Sequence, residues 1–278
     1  MLGYGRVKGP KFGLGVSLKP GWNPTRRNRK IGTKASGHGQ NNRLTIPESW
    51  SDARRFYERI GAHRMITRSL GSQTTRFVVE EPRVGWVHPC TPAEIYAVLE
   101  RCDVRDVQLA PMIVLRQPTR KQRILSPVWG RAIFLFELGD YSGPAIILEA
   151  QDCLPYVWSY RRGPEQEREL ERLRMDGHDI RIEGKLVTLQ PNPLSIKRTV
   201  LHRTLPHEVG HHVDSARLTQ EEWDARTPTE REDFAHAYAA KVREKLPELL
   251  ELPSELALEE QLAQDYLPAH WFSLRGDA

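Results

Sequence analysis

The chain has 278 residues, 39% of them hydrophobic and 28% charged, enough to bury at least one full core, and its 20 Gly and 20 Pro are close to average shares. These values exclude a disordered polymer. The longest apolar runs, residues 132–138 and 145–148, fall far short of the ~18 residues a membrane span requires, and the N-terminus lacks the apolar stretch of a secretory signal, so a cytoplasmic protein with no membrane partner is expected.

The formal charge of +5 divides unevenly along the chain. Residues 1–47 hold ten basic residues and no acid, which leaves 31 Lys and Arg against 36 Asp and Glu, a net of −5, for the rest. That tail is punctuated by Gly and Pro throughout, so residues 1–46 are expected to be disordered and are a candidate docking segment for nucleic acid through phosphate contacts. Cys90, Cys102 and Cys153 are widely spaced and odd in number, which fits reduced thiols.

Periodicity begins at Pro47. A helix is expected over Trp50–Ile60, with Trp50, Ala53, Phe56, Tyr57 and Ile60 on one face, then short strands at Arg76–Val79 and Val84–Val87. Thr91-Pro92-Ala93-Glu94 has the form of a capping box with Pro in the first turn, so a helix should run from there to about Cys102. Next come a strand at Met112–Leu115, a basic loop at Arg116–Arg123, and strands Ala132–Glu137 and Ala145–Glu149 joined by a Gly139–Gly143 turn. A charged helix over Pro164–Met175 should close at Gly177, followed by a hairpin of Asp179–Glu183 and Lys185–Leu189 turning at Gly184. From Asn192 onward the pattern is helical. The order implies an α+β fold in which a small mixed or antiparallel sheet precedes a helical subdomain.

One segment carries chemistry: His207-Glu208-Val209-Gly210-His211, an H-E-x-x-H on an apolar-periodic stretch. With ten His and 24 Glu in the chain, chance alone gives about 0.03 such matches. Residues four apart share a helix face, so His207 and His211 can present their imidazole nitrogens to one Zn²⁺, with Glu208 beside it as general base and then acid. Gly210 allows a close approach of neighbouring backbone, and the hairpin ahead of the motif is a candidate edge strand along the cleft. Pro206 disfavours helical geometry at Leu205 and points to Thr204 as N-cap, which would put His207 in the first turn, where the helix dipole opposes a cation.

A catalytic zinc takes a third protein ligand. A second helix opens at Thr227-Pro228-Thr229-Glu230 with another capping box, and Glu232 and His236, one turn apart on it, are the two candidates. Asp214 is either a carboxylate hydrogen-bonded to a ligand from behind or an ordinary polar helix residue. Tyr238, Tyr266 and Arg243 are unranked candidates for a transition-state donor. His202, His212 and His270 are assigned to packing or solvent, and Trp271-Phe272 to core or interface.

His207-Glu208-x-x-His211 followed about twenty residues later by a glutamate on a second helix resembles the gluzincin branch of the zincin metallopeptidases. The run Glu232-Asp-Phe-Ala-His-Ala-Tyr is similar to the third-ligand helix of the anthrax lethal factor type, in which the leading glutamate of the pattern ligates the metal. The likeness is close over residues 198–241 and holds in outline from Met112. It implies Glu232 as third ligand and a small sheet whose edge strand pairs with extended peptide, ahead of a zincin-like active-site helix. The metzincin branch is disfavoured, because Asp214 and Arg217 stand where it needs Gly and then His or Asp.

The sequence thus divides into a tail at 1–46, an α/β segment at 47–110 to which it assigns no role, and a zincin-like metallopeptidase domain at 111–278. The leading expectation is a zinc-dependent peptidase acting on protein or peptide substrates, with endopeptidase favoured over exopeptidase. The alternative is a nucleic-acid-associated binding or scaffold protein with an inactive zincin-like body and a basic docking tail.

Overall fold

The apolar run at Met112 forms the centre of a mixed five-stranded sheet in the computed structural model, which describes residue 55 and residues 57–70, 73–125, 127–160, 163–246 and 252–273. Strand β3 (Met112–Arg116) is buried at all five positions, as a strand covered on both faces must be. It lies parallel to β2 (Gln73–Glu80) on one side and β5 (Tyr141–Glu149) on the other. The edges are antiparallel: β1 (His63–Leu70) pairs with β2 and β4 (Gly130–Leu138) with β5, giving the order β1-β2-β3-β5-β4.

Between β2 and β3 run α1 (Pro92–Leu99) and the short α2 (Val104–Val107), and α3 (Arg120–Leu125) follows β3. A second, antiparallel sheet has the order β6-β8-β7, from β6 (Tyr156–Ser159), β7 (Asp179–Glu183) and β8 (Leu186–Gln190). Its strands flank α4 (Pro164–Met175), which ends in a Schellman closure: Gly177 N–H reaches Arg174 O and His178 N–H reaches Leu173 O. The remainder is helical: α5 (Pro193–Arg198), a π-helical segment (Thr199–Thr204), α6 (Leu205–Ala216), α7 (Gln220–Ala225), α8 (Pro228–Arg243), α9 (Glu255–Ala263) and a 3-10 turn (Ala269–Trp271). The α+β class and the order of sheet before helices are as the sequence indicates.

One face of the large sheet, with Phe77, Ile113, Leu115, Ile146 and Leu148, packs on Ile95, Leu205, Val209 and Val213 of the helices. Leu258, Leu262 and Trp271 join the same core, so the C-terminal helices are part of it and Trp271 is a core residue as assigned. The opposite face, with Val78, Met112, Val114 and Ile147, is covered by Tyr57, Ile60 and Tyr141.

Several local expectations are corrected. The described part of the helix expected over Trp50–Ile60, residue 55 and residues 57–60, is turn and coil; the other positions lie outside the described residues. There the Glu58 carboxylate takes the Arg55 N–H at 2.6 Å and closes a tight turn. Val84–Val87 is a turn, with Val84 fully exposed and Gly85 at φ +80, and Val87 makes only an isolated bridge to Gln151. The basic loop expected at Arg116–Arg123 is shorter: Arg116 ends β3, buried against Glu149 (Nη2–Oε1 3.1 Å), and α3 begins at Arg120, with Arg123 paired to Asp152 at 2.9 Å. The β4–β5 turn is the tighter Gly139-Asp140.

A domain boundary at 110/111 would run through the sheet, since β2 and β3 on either side of it are hydrogen-bonded neighbours; all the described residues fall in one compact unit, Arg54–Ala278. The tail at 1–46 lies outside the described residues. No helix among the described residues is long and apolar enough to cross a membrane.

Candidate metal centre

The helix that carries the H-E-x-x-H motif starts well upstream of Thr204. Asn192 caps it, its side chain accepting the Ser195 N–H at 2.9 Å in a reciprocal capping box with Pro193 in the first turn. Thr204 has helical dihedrals (φ −63, ψ −53) and makes no capping bond. Pro206 is tolerated in mid-helix because the turn before it widens. A proline has no N–H for the His202 carbonyl and its ring crowds that carbonyl, and the π segment relieves this, with Leu205 N–H reaching back to Val200 O. His207 therefore lies about four turns into a continuous helical run. The dipole penalty expected for a first-turn site falls away, because that field fades within the first turn.

Two close approaches assemble the site. A Cβ on Gly210 would meet Ala235 Cα at 3.0 Å and Tyr238 Cβ at 3.1 Å, so the absent side chain lets α8 lie against α6. A Cβ on Gly130 would meet Thr204 Cγ2 at 2.6 Å, so β4 begins directly against the π segment. Helix α8 has the expected Thr227 cap, with Glu230 closing the box, and this register brings Glu232 over the two histidines.

His207 Nε2 and His211 Nε2 are 3.1 Å apart, His207 Nε2 and Glu232 Oε2 3.2 Å, and His211 Nε2 and Glu232 Oε1 3.5 Å. A tetrahedral ion with bonds of about 2 Å has ligand–ligand edges of about 3.3 Å, so each facing pair of donors stands near zinc spacing, with Glu232 turning one oxygen to each histidine. Their chemistry fits as well. Burial and the neighbouring His207 push His211 down to about 4, which leaves its imidazole neutral with a free lone pair at pH 7. The His207 hydrogen bond holds Glu232 below the usual carboxylate range. His207 Nδ1 is buried with no hydrogen-bond partner among the described residues.

His236, the other candidate, is not in this set. Its ring packs 4.4 Å from that of His207, and its Nε2 accepts a hydrogen bond from Arg172 Nη1 at 3.0 Å. Glu208 is buried beneath the cluster, and burial raises its carboxyl to about 7 while the Ala132 N–H of β4 donates to it. The strand that borders the motif is thus β4, an edge strand of the large sheet among the described residues; the β7–β8 hairpin, expected in that place, pairs with β6 instead.

A cleft of about 440 Å³ opens over the cluster, walled by Trp129 and Gly130 on one side and by Arg168 and Arg172 of α4 on the other. Arg172 is held by a network rooted in a buried carboxylate. Asp176, fully buried, accepts from Thr199 and from Arg203 Nε, both at 2.9 Å; Arg203 Nη1 reaches Glu169 at 2.7 Å; Glu169 in turn holds Arg172 at 2.9 Å. The sequence does not announce this wall. The 3-4 spacing of Arg168, Glu169 and Arg172 on α4 was its one local signal, and a charged helix face is more often solvated.

The remaining candidates lie elsewhere. Asp214, buried, accepts from Arg226 Nη1 at 2.9 Å, so it ties α6 to the loop before α8 and backs neither histidine. Tyr238 donates to Asp106 Oδ2 at 3.0 Å, Tyr266 is 81% exposed, and Arg243 lies 3.6 Å from Asp176; none of the three lines the cleft among the described residues. His212 donates to the Ala145 carbonyl at 3.2 Å and His202 is buried, both packing residues as assigned, while His270 is exposed. No family model, curated protein or solved structure matches this chain.

Proposed function

We propose that the protein is a zinc-dependent peptidase with His207, His211 and Glu232 as metal ligands. The observation that carries this reading is the convergence of three donor residues, their facing atoms 3.1–3.5 Å apart, above a buried glutamate at an edge strand of the sheet. Zinc held there supplies Lewis-acid polarisation of a scissile carbonyl. Glu208 takes a proton from the attacking water and delivers it to the leaving amine, and its raised pKa suits both halves of that exchange near neutral pH.

The outer edge of β4 offers backbone groups that an extended peptide can pair with, which positions the bond to be cut. Since Nε2 of neutral His236 accepts from Arg172, its proton sits on Nδ1, and the pair gives the cleft wall an imidazole N–H and a fixed guanidinium to meet negative charge on the carbonyl oxygen. The deciding experiment is elemental analysis of untagged protein, with peptide hydrolysis measured beside it. About one zinc per chain is expected, and Glu208→Gln should keep the metal and lose hydrolysis by orders of magnitude. A chain that neither holds nor takes up zinc, or a Glu208→Gln variant with full turnover, would sink the reading.

A further inference from the structure

Beyond the metal cleft, on the other side of Pro127, Val128 and Trp129, lies a second pocket of about 510 Å³ that has no part in the chemistry above. Those three residues line both spaces, so one continuous wall leads from the metal cluster into the pocket. The floor is Leu173 of α4 and Leu189 of β8, and the sides are Tyr156, Trp158 and the indole of Trp129, whose ring centre is 5.6 Å from that of Tyr156. The second sheet and the segment before β4 together build this aromatic box.

Among the described residues its only charged lining group is already engaged. Arg123 lies over the Tyr156 ring at 3.4 Å and pairs with Asp152 at 2.9 Å, so its charge is already neutralised at the pocket wall. At the mouth, Ile124 is 65% and Val157 60% exposed, an apolar rim that no other described residue covers. A pocket of this size, lined by indole, phenol and leucine, takes a large apolar side chain.

Register along β4 sets where that side chain belongs. Ala132, whose N–H meets Glu208, marks the level of the bond to be cut, and Trp129 is three residues earlier. Extended chains advance about 3.3 Å per residue, so the pocket lies about 10 Å from the reacting centre, or about three residues along a peptide laid on the β4 edge. We propose that this pocket is a substrate-anchoring site that selects a bulky apolar residue, preferably aromatic, two to four positions from the cleaved bond. The assignment rests on the peptidase reading.

Two measurements on the full chain separate the failure of one from the failure of the other. The first uses two decapeptide pools, randomised at every position except one internal site fixed as Phe or as Ala, with the cut sites read by mass spectrometry. The Phe pool should be cut about 10–100-fold faster, with cuts two to four residues from the Phe, and Val157→Arg, which places a charge at the mouth, should abolish the difference while zinc content stays the same. The second follows the indole N–H resonances of Trp129 and Trp158, which need no turnover. They should shift with N-acetyl-phenylalanine amide and stay in place with N-acetyl-alanine amide.

Cleavage with no apolar preference, or with a preference that survives Val157→Arg, overturns the pocket assignment and leaves the peptidase reading standing. Indole shifts specific to the Phe amide without cleavage of either pool keep the pocket and overturn the peptidase. Neither cleavage nor shifts overturns both.

Discussion

At the scale of single residues, the competition between Glu232 and His236 comes down to which nitrogen or oxygen is still free. His236 Nε2 is taken by Arg172, whereas both Glu232 oxygens face histidine nitrogens. Glu232→Ala should therefore weaken zinc binding by at least about 100-fold, while His236→Ala should retain close to one zinc per chain after dialysis against a chelator. Equal loss in both variants would contradict the assignment. Glu208 gives a second test, through pH. A general base acts only when unprotonated, so activity must rise with pH through the Glu208 midpoint. Burial raises that midpoint to about 7, and a cation beside the carboxylate moves it back down. The acid limb of kcat/KM is thus expected at or below about pH 7, and a limb centred above 8 would exclude Glu208 as the base.

At the scale of elements, the site depends on how tightly α8 packs on α6. A Cβ on Gly210 would press against Ala235 backbone atoms at 3.0 and 3.3 Å, contacts that cannot give as a flexible side chain would. Gly210→Ala gains about 1 kcal/mol in helix propensity but costs about 1–3 kcal/mol in overpacking. The helices must separate, and Glu232 withdraws with α8. Zinc affinity should fall and the urea midpoint should drop or stay level; a variant with wild-type zinc affinity would show that α8 has slack at this contact. Sequence made much of this legible, because the signals are local. The capping boxes at Thr91 and Thr227, the apolar runs of β3 and β5, and the four-residue spacing of His207 and His211 all act within a turn or a strand. What it could not show is long-range. Pro206 reads as a helix start from its neighbours, yet Val200, Leu201 and Leu205 are all in the core, and their burial keeps the helix running through the proline at the cost of a π turn. Strand β1, with His63, Arg64 and exposed Met65, has too polar a pattern to announce itself, and it forms by pairing with β2. The arginine wall needs α4 and the π segment side by side, a relation only the fold supplies.

At the scale of the whole molecule, the layers are joined by histidines that must stay uncharged. His88 donates to the Glu80 carbonyl at 2.6 Å and lies against Phe272, tying the end of β2 to the C-terminal segment. His212 links α6 to β5 through the Ala145 carbonyl, and His178 donates to Thr199, which in turn holds Asp176 under the cleft wall. Burial pushes all three down to about 4, against an ordinary value near 6.5. A base whose folded pKa lies below its unfolded one binds its proton more readily in the unfolded chain. The stability it contributes is complete above about 6.5 and is lost as the pH falls from there to about 4, on the order of 1–3 kcal/mol per histidine. In metal-free protein, where release of zinc cannot contribute, the melting midpoint should thus fall steadily from pH 6.5 to 4.5. His178→Gln keeps a donor toward Thr199 and cannot titrate, so its midpoint should start lower and decline less steeply over the same range. Thermal melts of the two proteins at half-unit pH steps read the difference directly, and parallel slopes would mean that His178 titrates in the folded chain as it does in the unfolded one.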